Sequence, residues 1–380
     1  MRDFKLVFPE IDQSYSLIDV KKTVKGSVKQ TTGNIVTVLL NPKYCKAKKI
    51  YEGQIFYDKF TNEIKFQGRI IGEREIKENQ IRLWDDSLNN RLGLEIEKYF
   101  GLNYNANKMW DAVSFVAHQY EISPPRQYLK NINWKGDKNA IRKLLPTYLG
   151  AEDTELNAWI MEHMILGLVK RVFEPGSKFD EMMVLVGGQG IGKSTFARYL
   201  AIKDDWFCTI ENIQGKDAVM NLMGKTVVEI EEFVALRNAK SANEAKSFLS
   251  KLSDRIRIPY EKFSTDVPRT CILIGTLNER TFLNDHTGER RYLPVECHKE
   301  NRKKAIYIDK DFQGEQSEKE YLDSIREDFN QALAYGYKLY KEKKHSWTIP
   351  KDLLEDLYKE QEKFKYLNPD VEDIRYFLEE

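Results

Sequence analysis

Met182-Met183-Val184-Leu185-Val186-Gly187-Gly188-Gln189-Gly190-Ile191-Gly192-Lys193-Ser194-Thr195-Phe196-Ala197-Arg198-Tyr199-Leu200 is the stretch on which the fold turns. Its opening apolar run is short and unbroken, as expected of a strand covered on both faces. Gly187 to Ser194 then fits the Walker A pattern GxxxxGK[ST], and TFARYLA continues as a helix. Glycines in such a loop let the backbone turn tightly and aim N–H groups at a polyphosphate, to which the helix start adds its positive dipole end. Gly187, Gly188, Gln189, Gly190, Ile191, Gly192, Lys193, Ser194 and Thr195 are therefore the candidate nucleotide-binding residues. Lys193 is expected to reach the β- and γ-phosphates, and the Ser194 hydroxyl to ligate Mg²⁺.

Two further apolar runs follow, Thr226-Val227-Val228-Glu229-Ile230-Glu231-Glu232 and Thr270-Cys271-Ile272-Leu273-Ile274-Gly275-Thr276. Strands alternating with helical segments predict an open, largely parallel α/β sheet. ATP hydrolysis needs an acid at the end of a strand beside the phosphate loop, to orient Mg²⁺ and polarise water. Strand alternation sets Glu229 and Glu231 on one face and Glu232 on the other, so the three are not expected to enter one site together. The position of Glu231 and Glu232 at the strand's end favours that pair, with Glu229 also fitting. The metal ligand stays open between Glu231 and Glu229. Asn278 closes the third run, where a polar amide is placed to meet a γ-phosphate or the attacking water; a turn asparagine has the same appearance.

Gly288-Glu289-Arg290-Arg291-Tyr292 comes next. A guanidinium from this pair, donated to a neighbouring subunit's nucleotide, would stabilise transferring phosphate charge and would require a ring or filament. Neither Arg290 nor Arg291 is preferred by sequence, and a surface salt bridge or a DNA-phosphate contact is the alternative. Between the second and third runs, DRIRIPYEKFSTDVPR predicts a hairpin with Lys262 near its tip beside Tyr260 and Phe263. A cation among aromatics suits a single nucleic-acid strand, through phosphate attraction and base stacking, and a plain surface hairpin has the same pattern.

Upstream, TTGNIVTVLLN followed by a Tyr/Phe-rich segment reads as a helix and short strands. DSLNNRLGLEIEKYF and NKMWDAVSFVAH space their apolar residues as amphipathic helices do. Residues 1–120 are thus expected to form a mixed or mainly helical domain, with an oligomerisation or DNA-binding role. Residues 121–345 form the phosphate-loop domain with a preceding helical collar, including the apolar helix LNAWIMEHMILGLVKRVF that ends at Glu174-Pro175-Gly176. Residues 346–380 form a C-terminal helical extension. Lys21, Lys22, Lys25 and Lys29, and Lys43, Lys46, Lys48 and Lys49, make local basic runs that also fit solvated faces.

With 380 residues the chain is long enough for two or three domains with cores of their own. No run approaches the roughly eighteen apolar residues of a membrane span, and the N-terminus lacks the apolar core of a secretion signal. The four cysteines are far apart without a CxxC pair, which argues against structural zinc or a disulfide framework. A soluble, cytoplasmic protein with no membrane partner is expected. Formal net charge is only +1 although charged residues make up 31% of the chain, so nucleic-acid binding must come from local patches.

Taken in order, WKGDKNAIRKLLPTYLGAEDT, RVFEPGSKFDEMMVLVGGQGIGKST, VVEIEEFVAL, DRIRIPYEKF, VPRTCILIGTLNE and TGERRYLPV resemble the virulence-associated protein E family. The resemblance runs from Trp134 to Val295. These replication helicases of phages and mobile islands are similar to superfamily 3 helicases within the AAA+ group. The resemblance implies a P-loop AAA+ ATPase core that uses ATP and Mg²⁺ in a homo-oligomeric, hexameric ring and moves along single-stranded or forked DNA. It implies roles for Lys193 and Ser194 as the Walker A pair, Glu229 with Glu232 as the acids, Asn278 as sensor, and Arg290 and Arg291 at the arginine positions. Its choice of acids differs from the one drawn from strand position. Family members commonly carry a primase ahead of this region or a winged DNA-binding domain behind it; neither pattern is evident, so origin recognition and priming are expected either of another polypeptide, a replication initiator or primase, or of residues outside this sequence. Two other classes compete: a P-loop ATPase that switches a protein complex without moving on DNA, and a small-molecule kinase, for which no lid signature is found.

Overall fold

Buried apolar residues at helical spacing build the first part of the chain. In a computed structural model, α1 (Thr32–Leu40) is capped by the Thr31 side chain, and β1 (Tyr51–Asp58), β2 (Glu63–Ile70) and β3 (Ile81–Leu83) follow. Next come α2 (Asp86–Phe100), α3 (Ala106–His118) and β4 (Glu121–Ile122). The structure describes residues 6–10, 18–41, 44, 51–70, 80–102, 105–211, 213–232, 242–257, 264–278, 289–308 and 317–365. Leu88, Leu92 and Ile96 of α2, and Met109, Val113 and Val116 of α3, repeat every three or four residues and share a core with Ile55 and Phe66 of the sheet. The strand order is β3-β2-β1-β4, with β1 antiparallel to β2 and parallel to β4. Residues 2–127 form one compact unit and residues 128–380 another.

α4 (Pro124–Asn131) spans that boundary, and α5 (Leu144–Leu149) and α6 (Glu155–Phe173) lead to β5 (Met182–Val186). Beyond it lie α7 (Lys193–Leu200), β6 (Phe207–Thr209), α8 (Gly215–Leu222), β7 (Val227–Glu231) and α9 (Ala242–Ser250). The chain continues through β8 (Ser253–Ile256), β9 (Thr265–Pro268), β10 (Ile272–Leu277) and β11 (Tyr292–Glu296) to α10 (Glu318–Glu342) and α11 (Lys351–Glu362).

The main sheet of this unit is mixed with helices and wholly parallel, in the order β11-β5-β10-β7-β6. Two of its strands, β6 and β11, were not expected from sequence. β6 is only three residues long, and β11 contains Pro294. Proline cannot donate to a ladder and is tolerated because β11 is an edge strand. α11 covers that edge: buried Gln361 donates from Nε2 to Tyr292 O at 2.8 Å, and Phe364 joins the core on one face of the sheet. The described part of the segment read as an extension, as far as Lys365, thereby packs against the sheet. Among the described residues no helix is long and apolar enough to cross a membrane.

Candidate nucleotide-binding site

The C-terminal ends of β5, β10 and β11 lie side by side, with Val186 level with Leu277 and Glu296. β5 has neighbours on both sides that come later in the chain, so a crevice opens beyond its end, where open α/β sheets take ligands. The glycine loop starts there. A Cβ on Gly187 would collide with the Cys297 carbonyl, and Gly192 has φ +104° with Ile306 against the place of its missing Cβ. The loop is therefore held close to the chain that follows β11. Tyr307 adds to this by donating from Oη to Gly190 O at 2.5 Å, and Arg302 donates to Ile191 O at 3.4 Å.

Lys193 opens α7 and is 7% exposed. Its Nζ donates to Gly187 O at 2.6 Å, Gly188 O at 2.8 Å and Asn278 Oδ1 at 3.0 Å. All three acceptors are neutral, and among the described residues no carboxylate forms an ion pair with this ammonium. Burial holds its pKa below the usual lysine value. Glu229 works against that shift by its charge; the buried Cys297 thiol, pushed up to about 12, is neutral at ordinary pH. Gly188, Gln189, Asn278, His298 and Lys299 line a cavity of about 260 Å³ beside the loop.

The acids part company. Glu229 is buried within the sheet, accepting from Thr276 Oγ1 at 2.8 Å and from Thr209 Oγ1 at 3.3 Å, hydroxyls supplied by the strands on either side of β7. Glu231 is exposed and makes no hydrogen bond or ion pair among the described residues. Glu232 lies past the end of β7 with φ +48°, a left-handed conformation uncommon for a residue with a side chain, and its Oε1 accepts from Asn278 Nδ2 at 3.4 Å. Alternation predicted that Glu232 would point away from Glu229. It does not govern here, because the pleat ends at Glu231 and the positive φ redirects the next side chain. Lys193, Asn278 and Glu232 form one chain of hydrogen bonds, and Glu229 adds its charge to the same ammonium.

Ser194 is exposed and Thr195 half-buried at the start of α7. The two arginines differ sharply. Arg291 donates from Nε to Asp180 Oδ2 and to Ser250 Oγ, both at 3.2 Å, whereas Arg290 is exposed and unpartnered among the described residues. β8 and β9 form the expected antiparallel pair, braced by buried Arg269 paired to Asp254 at 3.0 Å. Its tip, with Tyr260, Lys262 and Phe263, lies outside the described residues. Thr209, Thr276, Arg302 and Tyr307 were missed from sequence. Thr276 had a signal, as a hydroxyl inside an otherwise apolar strand; Tyr307 had none, since it meets a residue far away in the chain.

Residues 129–366 match the virulence-associated protein E-like domain. The chain belongs to that family. The virulence-associated protein E-like domain falls within the second compact unit and contains every site residue named above. Among solved structures the chain is similar to an apo NrS-1 C-terminal region, with 17% identity and a TM-score of 0.45 over 79% of this chain and 74% of that one. A second apo structure, the A form of that region, gives 15% identity and a TM-score of 0.47 over 84% and 76%. No curated protein matches the chain.

Proposed function

We propose that the chain is an ATP-hydrolysing P-loop motor of the AAA+ type, acting as a replicative DNA helicase. The observation that carries this reading is the Lys193 ammonium, buried at the end of a parallel sheet, donating to neutral oxygens and without a carboxylate ion pair among the described residues. Burying a cation in this way is costly, and a polyphosphate is the anion that would relieve the cost. The strand order and the close-held glycine loop support the same reading.

The residues present fit ATP with Mg²⁺. Lys193 and the loop amides would hold the phosphates, and Ser194 with Glu229 would hold the metal, whose charge lowers the barrier to phosphoryl transfer. Glu232 and Asn278 are hydrogen-bonded to each other and would orient the attacking water. Arg290, exposed and unpartnered among the described residues, would reach a neighbouring subunit in a homo-oligomeric ring, hexameric by family resemblance. Single-stranded or forked DNA is the proposed track, with a primase or initiator as partner.

The test is ATP hydrolysis with Mg²⁺, measured with and without single-stranded DNA, together with strand displacement from a forked duplex. Hydrolysis stimulated by the single strand, with displacement, is expected. Hydrolysis indifferent to DNA would instead indicate an ATPase that switches a protein complex, and absence of ATP binding would end the motor reading.

A further inference from the structure

The chain from Lys21 to Lys29 doubles back on itself. Lys22 bridges Val28, Lys29 N donates to Lys21 O at 2.9 Å, and the turn closes through Thr23 N to Ser27 O at 2.7 Å, with Gly26 at φ +86°. Val20 and Val28 pack against the core of the first unit, while Val24 at the tip is fully exposed. The lysines at 21, 22, 25 and 29 are all exposed, no acid interrupts the stretch, and no carboxylate among the described residues pairs with any of the four.

A charged loop that merely kept the protein in solution would need no fixed shape. This one is fixed by Asn34, a 2% exposed residue on α1. Its Oδ1 accepts from Lys21 N at 2.9 Å, and its Nδ2 donates to Lys21 O at 2.8 Å and Lys29 O at 2.9 Å. Both arms are thereby clamped by one side chain with its polar atoms satisfied. The base is tied again by Gln30, whose Nε2 donates to Gly101 O at 2.9 Å and whose carbonyl accepts from Lys108 Nζ at 3.1 Å.

We infer that the Lys21–Lys29 hairpin is a binding element for duplex nucleic acid. A two-stranded ribbon is narrow enough for a groove about 12 Å wide. Cations on both arms then face the two phosphate rows, and Val24 meets base edges as an apolar contact. The hairpin belongs to the unit that lacks the glycine loop, so this inference goes beyond the motor reading and does not depend on nucleotide.

The experiment uses the full chain without ATP and a fluorescent duplex of about twenty base pairs, with affinity followed against salt. Lys22→Ala/Lys25→Ala/Lys29→Ala is expected to make the log–log salt slope shallower by about 2 to 3 and to cost about a hundredfold in affinity near 0.1 M salt. The matching triple arginine variant is expected to restore both. Val24→Ser is expected to weaken binding several-fold while keeping the slope. An unchanged slope in a folded alanine variant, failure of arginine to rescue, an effect confined to single strands, or a lysine-dependent affinity for phosphatidylserine vesicles in place of duplex would each overturn the inference.

Discussion

Buried polar groups in the first compact unit and at the candidate site of the second serve different ends. In residues 2–127 the buried side chains turn inward on their own backbone: Asn34 clamps a hairpin, Asn41 Nδ2 reaches Ile18 O at 2.8 Å, and Asp58 accepts from Phe60 N at 2.9 Å and pairs with Lys65. Each is satisfied by the loop it shapes. In residues 128–380 Lys193 is buried at the start of α7 and Glu229 and Thr276 within neighbouring parallel strands, and among the described residues the Lys193 ammonium donates only to neutral oxygens. The contrast teaches that buried polarity alone does not mark a site. What sets the candidate site apart is a buried ammonium with no ion-pair partner among the described residues, Glu229 acting on it only at a distance, where a ligand can enter.

Lys193→Ala breaks the comparison most directly. ATP binding and hydrolysis are expected to fall to background, measured by calorimetry and phosphate release, while thermal stability shifts by no more than about 1 kcal/mol. The small shift follows because the lost hydrogen bonds are offset by the ammonium no longer being desolvated. Loss of fold would show Lys193 to be a structural group like those of the first unit.

Arg290 and Arg291 sharpen the same distinction within one turn. Arg290→Ala is expected to reduce hydrolysis about a thousandfold, the scale of a guanidinium donated to transferring phosphate, with stability unchanged. In mixed assemblies it should poison wild-type subunits beyond simple dilution. Arg291→Ala removes the partner of Asp180 and is expected to cost about 1–3 kcal/mol of stability. Equal effects on hydrolysis and stability from both variants would dissolve the assignment.

Lys193 also gives opposite pH dependences for binding and stability. Its folded-state pKa lies below the unfolded 10.5, so between the two values the unfolded chain binds more protons and stability rises with pH. ATP needs the charged form, so its affinity is expected to fall about tenfold per pH unit above the lowered pKa, and Lys193→Arg should flatten that fall. Affinity that stays level to the usual lysine pKa would show the ammonium to be less buried than its surroundings imply.

Much of the candidate site's placement was legible because its elements follow one another in consecutive residues. The stretch from Met182 to Leu200 carries strand, turn and helix in succession, and Asn278 directly follows a strand visible as an apolar run. The distinction among Glu229, Glu231 and Glu232 was not legible. It depends on Thr209 and Thr276 meeting Glu229 across two strand pairings and on a backbone reversal after Glu231. The two arginines are chemically alike in sequence and are separated only by Asp180 and Ser250, which come from distant elements. β6 was too short for periodicity to declare itself, and Pro294 obscured β11 until its edge position was known.

The smallest effect tests the first unit's side of the comparison. Asn34→Ala removes an acceptor from Lys21 N and a donor from Lys21 O and Lys29 O, and such a loss at a buried position costs about 1–3 kcal/mol. The cost is local, since Val20 and Val28 still pack and α1 keeps its Thr31 cap. Hydrogen exchange at the Lys21 and Lys29 amides is therefore expected to quicken about 5- to 150-fold, the population change that about 1–3 kcal/mol produces. DNA-free ATP hydrolysis should not change, because Asn34 shapes a hairpin in a unit with no part of the glycine loop. Unaltered exchange would mean that the clamp does not hold the hairpin. A fall in hydrolysis would mean that buried polarity in the first unit serves the second unit's site, and the division drawn between them would fail.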